Sequence, residues 1–358
     1  MTYEKIIGHF AIQGKIEKTE SIGSGHINRS FRLRNADPQC PDYLLQSINT
    51  QIFKDPLALT ENIVKITRHL RSKYSEKEAD TRTLTPVPGL TGEYCIKDEN
   101  NTWWRMFIYI PESKVIEVVT SEKVAYEAGR AFGTFLYHLA DFPADEIHEV
   151  IPGFHDPIKR ISDFKEAVKM NRAGRLSEVE KEVALLLSRT GEMTKIHRLA
   201  SEGKLPRRVV HYDTKCSNIL FDRHDNALCV IDLDTVMPGY LINDFGDSIR
   251  TFANTAAEDE PDLSKVHFNI DIFRSYAKGF LEATAAFITP AERENLVFAA
   301  QYLTYEQALR FLGDYLNGDV YYHIQHPLHN LHRARVQIKY LEELDKHCRQ
   351  MKKMIDSF

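Results

Sequence analysis

Apolar and polar positions alternate with a period near two through much of the first 110 residues. The runs 16–21, 30–34, 43–48, 92–97 and 103–110 read as strands, the last two joined by the turn sequence DENN. One helix interrupts them: Asp55 offers an N-cap oxygen, Pro56 suits the first helical position, and Leu59, Ile63, Ile66 and Leu70 recur at helical spacing. From Thr120 the period lengthens to that of a helix. Thr120 is placed to cap it, Glu122 lies in its first turn, and Ala128, Phe132, Phe135 and Leu139 make an apolar face. Helical patterning continues to the end, where Ile338, Leu341, Cys348, Met351 and Ile355 share one stripe. Only 207–235 breaks it, with the short β-like runs RRVVHYD, NILFD and LCVIDLD. The pattern predicts an α+β chain with a small β-rich N-terminal lobe, residues 1–111, and a larger, mostly helical C-terminal lobe, residues 112–358.

Charge narrows the partners. Lys and Arg number 46 against 51 Asp and Glu, and no basic run occurs, so the electrostatic footprint of a nucleic-acid binder is missing. Five scattered cysteines without a CxxC pair offer neither a disulfide framework nor a zinc site. No apolar run reaches membrane-spanning length, and the expectation is a soluble cytoplasmic protein with no membrane partner.

The chemistry concentrates in VVHYDTKCSNILFD followed by CVIDLDT. Carboxylates gathered at strand ends repel unless a cation sits among them, and one carboxylate with one amide oxygen is a ligand set that magnesium completes with water and substrate phosphates. Phosphoryl transfer uses that arrangement. Asp213 is then the group that orients an acceptor hydroxyl and takes its proton, Asn218 and Asp232 hold magnesium, and Lys215 neutralises charge on the transferring group. His211 reads as a residue that fixes the loop. The plainer alternative has these side chains serving only turn hydrogen bonds, and the joint spacing of HxDxKxxN with Asp232 fourteen residues later argues against it.

With these motifs the chain resembles the aminoglycoside phosphotransferase and choline kinase-like superfamily along nearly its whole length. Within that group it is similar to bacterial N-acetylhexosamine 1-kinases, through GHIN at 25–28, LLQSIN at 44–49, HYDTKCSNIL, VIDLDTVMPG, DFGDSIR, DLSKVHF and RFLGDYLNGDVYY. The resemblance implies a protein-kinase-like two-lobe fold. It also implies ATP as phosphoryl donor, Mg2+, and a neutral amino-sugar, GlcNAc or GalNAc, phosphorylated at its anomeric hydroxyl. The base role falls on Asp213 and the metal roles on Asn218 and Asp232, with Asp234 either a further ligand or a brace. Kinases of this fold carry a lysine on the third strand, paired with a helical glutamate; here Gln46 stands there, with Glu61 or Asn62 offered by the next helix and Asn62 the better match for an uncharged amide.

Other roles are implied in the same way. The adenine edge falls to backbone groups of Phe107, Ile108, Tyr109 and Ile110, and sugar contacts to His26, Asn28, Asp213, Arg310, Asp319 and Tyr321. Arg310 also admits a bland reading, an exposed ladder with Glu306 and Asp314 at i, i+4 spacing. FHD at 154–156 recurs in such kinases, and Asp244 and Asp247 of DFGD are placed to tie a helix to the Asp213 loop, with Arg250 as their partner. The stretch SIGSGHIN is followed by a β-like run, which excludes a Rossmann turn, and it lacks GK[ST], which excludes a Walker loop. It reads as a hairpin in which Gly23, Ser24 and Gly25 cover nucleotide phosphates.

Overall fold

A computed structural model of the protein describes residues 3–22 and 28–358. Along the chain come α1 (Glu4–Ile7), strands β1 (Ile16–Ile22), β2 (Arg29–Asn35) and β3 (Tyr43–Ile48), and helices α2 (Pro56–Arg71) and α3 (Glu76–Arg82). Strands β4 (Ile96–Lys97), β5 (Trp103–Ile108) and β6 (Lys114–Val115) precede helices α4 (Glu122–His138), α5 (Pro157–Met170), α6 (Glu180–Ser188), α7 (Thr190–Met193) and α8 (Lys195–Ser201). Then follow β7 (Arg208–Val210), β8 (Ile219–Phe221), β9 (Ala227–Val230) and β10 (Met237–Gly239), and helices α9 (Leu241–Phe252), α10 (Ile270–Thr284), α11 (Pro290–Asn317) and α12 (His329–Ser357).

The chain divides into two compact units. The first takes the N-terminal residues through Ile116 together with His138–Pro152 and Asn218–Pro238; the second takes Glu117–Tyr137, Gly153–Ser217 and Gly239–Phe358. This differs from a single boundary near residue 111, and the reason is hydrogen bonding. Strand β6 pairs with β8, and the Asn62 amide of α2 bonds both backbone groups of His148. Each returning segment is thereby held in the first unit.

In that unit the antiparallel sheet runs β1-β2-β3-β5-β4. The period of two decides its faces. Phe31, Leu45 and Met106 form one cross-strand row and are buried, with Ile6, Ile7 and Phe10 closing the core around α1. The neighbouring row, Ser30, Gln46 and Arg105, therefore projects from the opposite face. Helix α2 is capped as the sequence predicts, the Asp55 carboxylate accepting from Leu57 and Ala58 N–H, and Leu59, Ile63, Ile66 and Leu70 are buried. The expected strand at 92–97 shortens to Ile96–Lys97, because Gly92 turns the chain at φ +96°. Strand β5 stops at Ile108, where the Tyr109 N–H bonds the Asp42 carbonyl and Pro111 follows without an N–H.

The second unit is mostly helical. Helix α11 starts on a capping box between Thr289 and Glu292, with Pro290 in its first turn, and ends on Gly318 at φ +95°. It is buried along most of its length and packs on α5, α9 and α12. The C-terminal stripe of α12 is as the sequence predicts: Leu341, Met351 and Ile355 are buried, and Cys348 is partly so. The start of α4 is corrected. The Oγ of Ser121, and not Thr120, accepts from the Val124 N–H, and the helix begins at Glu122.

Candidate active site

Two buried valines, Val209 and Val210, anchor β7, and the chain then enters the loop that carries Asp213. Helix α9 fixes that loop through its first two turns. The Asp244 carboxylate accepts the backbone N–H of His211 and of Tyr212, each at 2.8 Å, and Asp247 accepts that of Thr214 at 3.1 Å. The Thr214 hydroxyl donates to the Asp244 carbonyl at 2.7 Å, and Ser248 Oγ donates to the Thr214 carbonyl at 3.0 Å. DFGD thus ties helix to loop as expected, and Arg250 pairs with Asp247 at 2.7 Å. Burial pushes the Asp244 carboxyl up to about 7 against the two N–H bonds that favour its ionised form, and the Asp247 charge adds to the rise.

Tyr212 takes a left-handed conformation at φ +66°, and its ring lies over Gly239. A Cβ at Gly239 would stand 2.1 Å from the Tyr212 hydroxyl, so only glycine fits. His211 is buried edge-on against Phe132 and Phe135, and its Nδ1 accepts the Asp213 N–H at 3.3 Å, a loop-fixing role. In contrast to Asp244 and Asp247, the Asp213 side chain is 30 % exposed, with Lys215 Nζ 3.1 Å from its carboxylate. A backbone held at 211, 212 and 214 presents one accessible carboxylate beside one cation.

FHD supplies a second support. Both ring nitrogens of His155 face acceptors, Nδ1 the Glu306 carboxylate at 2.9 Å and Nε2 the Tyr212 carbonyl at 3.3 Å. Burial would raise the Glu306 carboxyl, but the charges of His155, Arg160 and Arg310 outweigh it and hold the group at about 2. The exposed ladder is overturned. Glu306 is buried with His155 and Tyr302, and Asp314 accepts the N–H groups of Val320, Tyr321 and Tyr322. Arg310 instead lies over the rings of Phe154, Tyr321 and Tyr322 at 5.3–5.9 Å. It lines a cavity of about 170 Å³ with Arg160, Tyr321 and Tyr322. Asp319 is committed to the protein on both oxygens, to Arg175 and Asn330, with its side chain 3 % exposed.

In the first unit the hairpin β8–β9 pairs Ile219 with Val230, and the Ile231 N–H donates to the Asn218 carbonyl at 2.9 Å. Asn218 and Asp232 consequently lie at the open end of one hairpin, opposite the Asp222 turn. Asn218 is buried and Asp232 exposed at φ +59°. An amide oxygen and a carboxylate carried by one rigid hairpin fit a hard divalent cation.

Gln46 does not meet Asn62 or Glu61. Asn62 is spent on His148, and Glu61 pairs with Lys65 and His148. Gln46 donates to Ser30 Oγ at 2.9 Å and accepts from Arg105 Nε and Nη2 at 3.1 and 3.0 Å. Arg105 Nη1 forms a buried ion pair with Asp234, whose other oxygen accepts from Asn28 Nδ2 at 2.6 Å. Asn28 in turn accepts the Asn49 N–H at 3.0 Å, so its carbonyl and one amide hydrogen are engaged. The partner Arg105 was missed in the sequence. Its signal is the polar row Ser30, Gln46, Arg105 on strands whose alternate residues are apolar.

Along the expected adenine edge, the Ile108 and Tyr109 N–H groups already donate to Thr85 and Asp42 carbonyls at 2.9 Å. Gly23, Ser24, Gly25 and His26 lie outside the described residues, between the paired strands β1 and β2. Asp259, His326 and His329 bring ligand atoms within 4.8 Å of one another. The Gln325 N–H occupies the Nδ1 lone pair of His329, however, leaving Nε2 as the N–H that faces Asp259 at 3.1 Å. Among the described residues no helix is long and apolar enough to cross a membrane.

Residues 18–281 match the model of the Phosphotransferase enzyme family. Solved structures share the fold. The microcompartment-associated aminopropanol kinase is 15% identical, covering 98% of this chain and 97% of its own, with a TM-score of 0.65. An amicoumacin kinase in complex with AMP-PNP and Ca2+ is 12% identical over 95% and 92%, at 0.63. A choline kinase from Cryptosporidium parvum is 13% identical over 95% and 92%, at 0.58. With its small antiparallel sheet, its larger helical part and a family match over most of its length, the chain belongs to the Phosphotransferase enzyme family and has its kinase-like fold.

Proposed function

We propose that this phosphotransferase is an N-acetylhexosamine 1-kinase, which moves the γ-phosphoryl group of ATP to the anomeric hydroxyl of GlcNAc or GalNAc with Mg2+. The observation that carries the kinase part is the Asp213 loop, whose backbone is clamped by Asp244 and Asp247 while the Asp213 carboxylate stays accessible beside Lys215. The sugar part is supported by the motifs quoted above, from GHIN to RFLGDYLNGDVYY.

In this reading Asp213 orients the anomeric hydroxyl and accepts its proton as the oxygen attacks the γ-phosphorus and the bond to the ADP oxygen breaks. An anomeric hydroxyl is more acidic than a simple alcohol, so positioning and charge neutralisation supply most of the acceleration. Lys215 neutralises the transferring group. Asn218 and Asp232 would hold Mg2+, which supplies charge compensation on the phosphates. Gly23, Ser24 and Gly25 cover the phosphates, Gln46 offers its remaining amide hydrogen to them, and the backbone of residues 107–110 borders the adenine. His26, Arg310, Tyr321 and the free amide hydrogen of Asn28 are the sugar contacts. A cytoplasmic setting accords with five free cysteines.

Arg310 shares its cavity wall with the carboxylates of Asp163 and Asp314, so the choice between a neutral hexosamine and choline, homoserine or an aminoglycoside falls to the acceptor assay. The test is ADP release with Mg2+ across GlcNAc, GalNAc, choline, homoserine and kanamycin. Turnover of a hexosamine alone supports the proposal. Turnover of another acceptor alone assigns the chain to a different alcohol, and no turnover with any of them favours a nucleotide-binding regulator.

A further inference from the structure

The place of the third-strand lysine is taken by an amide, yet the first unit still buries one strong ion pair on that face of the sheet. The side chains of Arg105 and Asp234 are 4 % and 3 % exposed. Burying two ions is costly unless geometry and further hydrogen bonds compensate, and here Gln46 holds the remaining guanidinium edge while Asn28 holds the second carboxylate oxygen. Asp234 lies on the turn Leu233–Thr235, directly after Asp232. Leu233 and Thr235 are buried, and the turn packs on α2. Asn28 opens β2, and through the Asn49 N–H it also grips the end of β3.

We infer that Asn28, Asp234 and Arg105 form a positioning relay that fixes the Asp232 turn against the start of β2, and that Asp234 is not itself a metal ligand. Each oxygen of Asp234 already has a protein donor, whereas Asp232, two residues earlier, is exposed. The relay gives the first unit what a lysine–glutamate pair gives other kinases of this fold, a charged strut. Here it runs from β5 to the metal turn. The metal part of this inference rests on the assignment of Asp232 proposed above.

A reciprocal exchange separates a brace from a ligand. In Asp234→Asn the new amide can keep its oxygen toward Arg105, but it sets its NH2 against the NH2 of Asn28. Adding Asn28→Asp restores a donor–acceptor pair, keeps the net charge, and still offers an oxygen to the Asn49 N–H. Two readouts are taken on wild type, Asp234→Asn, the double variant and Asp232→Asn: hydrogen exchange of amides 231–236 in metal-free protein, and Mn2+ binding with ADP by electron paramagnetic resonance. The relay predicts faster exchange and about tenfold or more weaker Mn2+ binding in Asp234→Asn, with both largely recovered in the double variant. Asp232→Asn is expected to lose Mn2+ binding. Loss of Mn2+ in Asp234→Asn that the exchange does not rescue, with unaltered amide protection, makes Asp234 a ligand and overturns the inference. So does an Asp234→Asn protein that matches wild type in both readouts. If wild type binds no Mn2+ with ADP while metal-free exchange follows the reciprocal pattern, the relay stands and the kinase reading fails.

Discussion

Asp244 accepts the Tyr212 backbone N–H at 2.8 Å, so a helix side chain and not a strand neighbour sets the residue just before the proposed base. Its second oxygen takes the His211 N–H at the same distance. Asp244→Asn replaces one acceptor by a donor facing a backbone N–H. Turnover is expected to fall at least tenfold with a lowered melting temperature, since a buried donor is left unpaired. Steady-state kinetics with calorimetry check this, and unchanged kcat would remove Asp244 from the support of Asp213.

Gly239→Ala places a methyl group where the Tyr212 hydroxyl and Val210 stand, at 2.1 and 2.6 Å. Both are buried, so the strain is expected to cost about 1–3 kcal/mol, read from urea unfolding. Turnover should fall further than stability alone explains, because Tyr212 precedes Asp213.

Glu306 gives a pH signature with a definite sign. Its native carboxyl is held at about 2 against an ordinary 4.5. Its stabilising contribution is therefore full above about pH 4.5 and is lost as pH falls toward 2. Wild type should lose melting temperature across that window more steeply than Glu306→Gln, which has no carboxylate to protonate there. Parallel curves would contradict the buried pair with His155.

Arg310→Lys keeps the charge but loses the planar group that rests on Phe154, Tyr321 and Tyr322. The expected result is a KM for the hexosamine raised roughly tenfold, with kcat little changed, as for uniform binding. An unaltered KM would place Arg310 outside the sugar site.

Local chemistry made much of the fold legible. Asp55 with Pro56, the stripe Leu59 to Leu70, and the alternation in 30–34 and 43–48 each encode an element within a few residues of sequence. The Asp213 loop was legible for the same reason. Arg105 and Asp234 stand 129 residues apart, and only strand register brings Arg105 beside Gln46. Arg310 misled because i, i+4 spacing says which residues share a helix face and not whether that face is buried; Glu306 and Asp314 are 1 % and 6 % exposed. Thr120 and Ser121 are both capping residues by type, and the backbone decides which of them is used.

The central claim, that Asp213 takes the proton of an anomeric hydroxyl, is tested most directly by phosphorus NMR of GlcNAc incubated with ATP and Mg2+ and either wild type or Asp213→Asn. The account predicts a phosphate coupled to the anomeric proton with wild type, and none with Asp213→Asn although that protein still binds ATP. A phosphate on any other sugar hydroxyl, or undiminished product from Asp213→Asn, would contradict it.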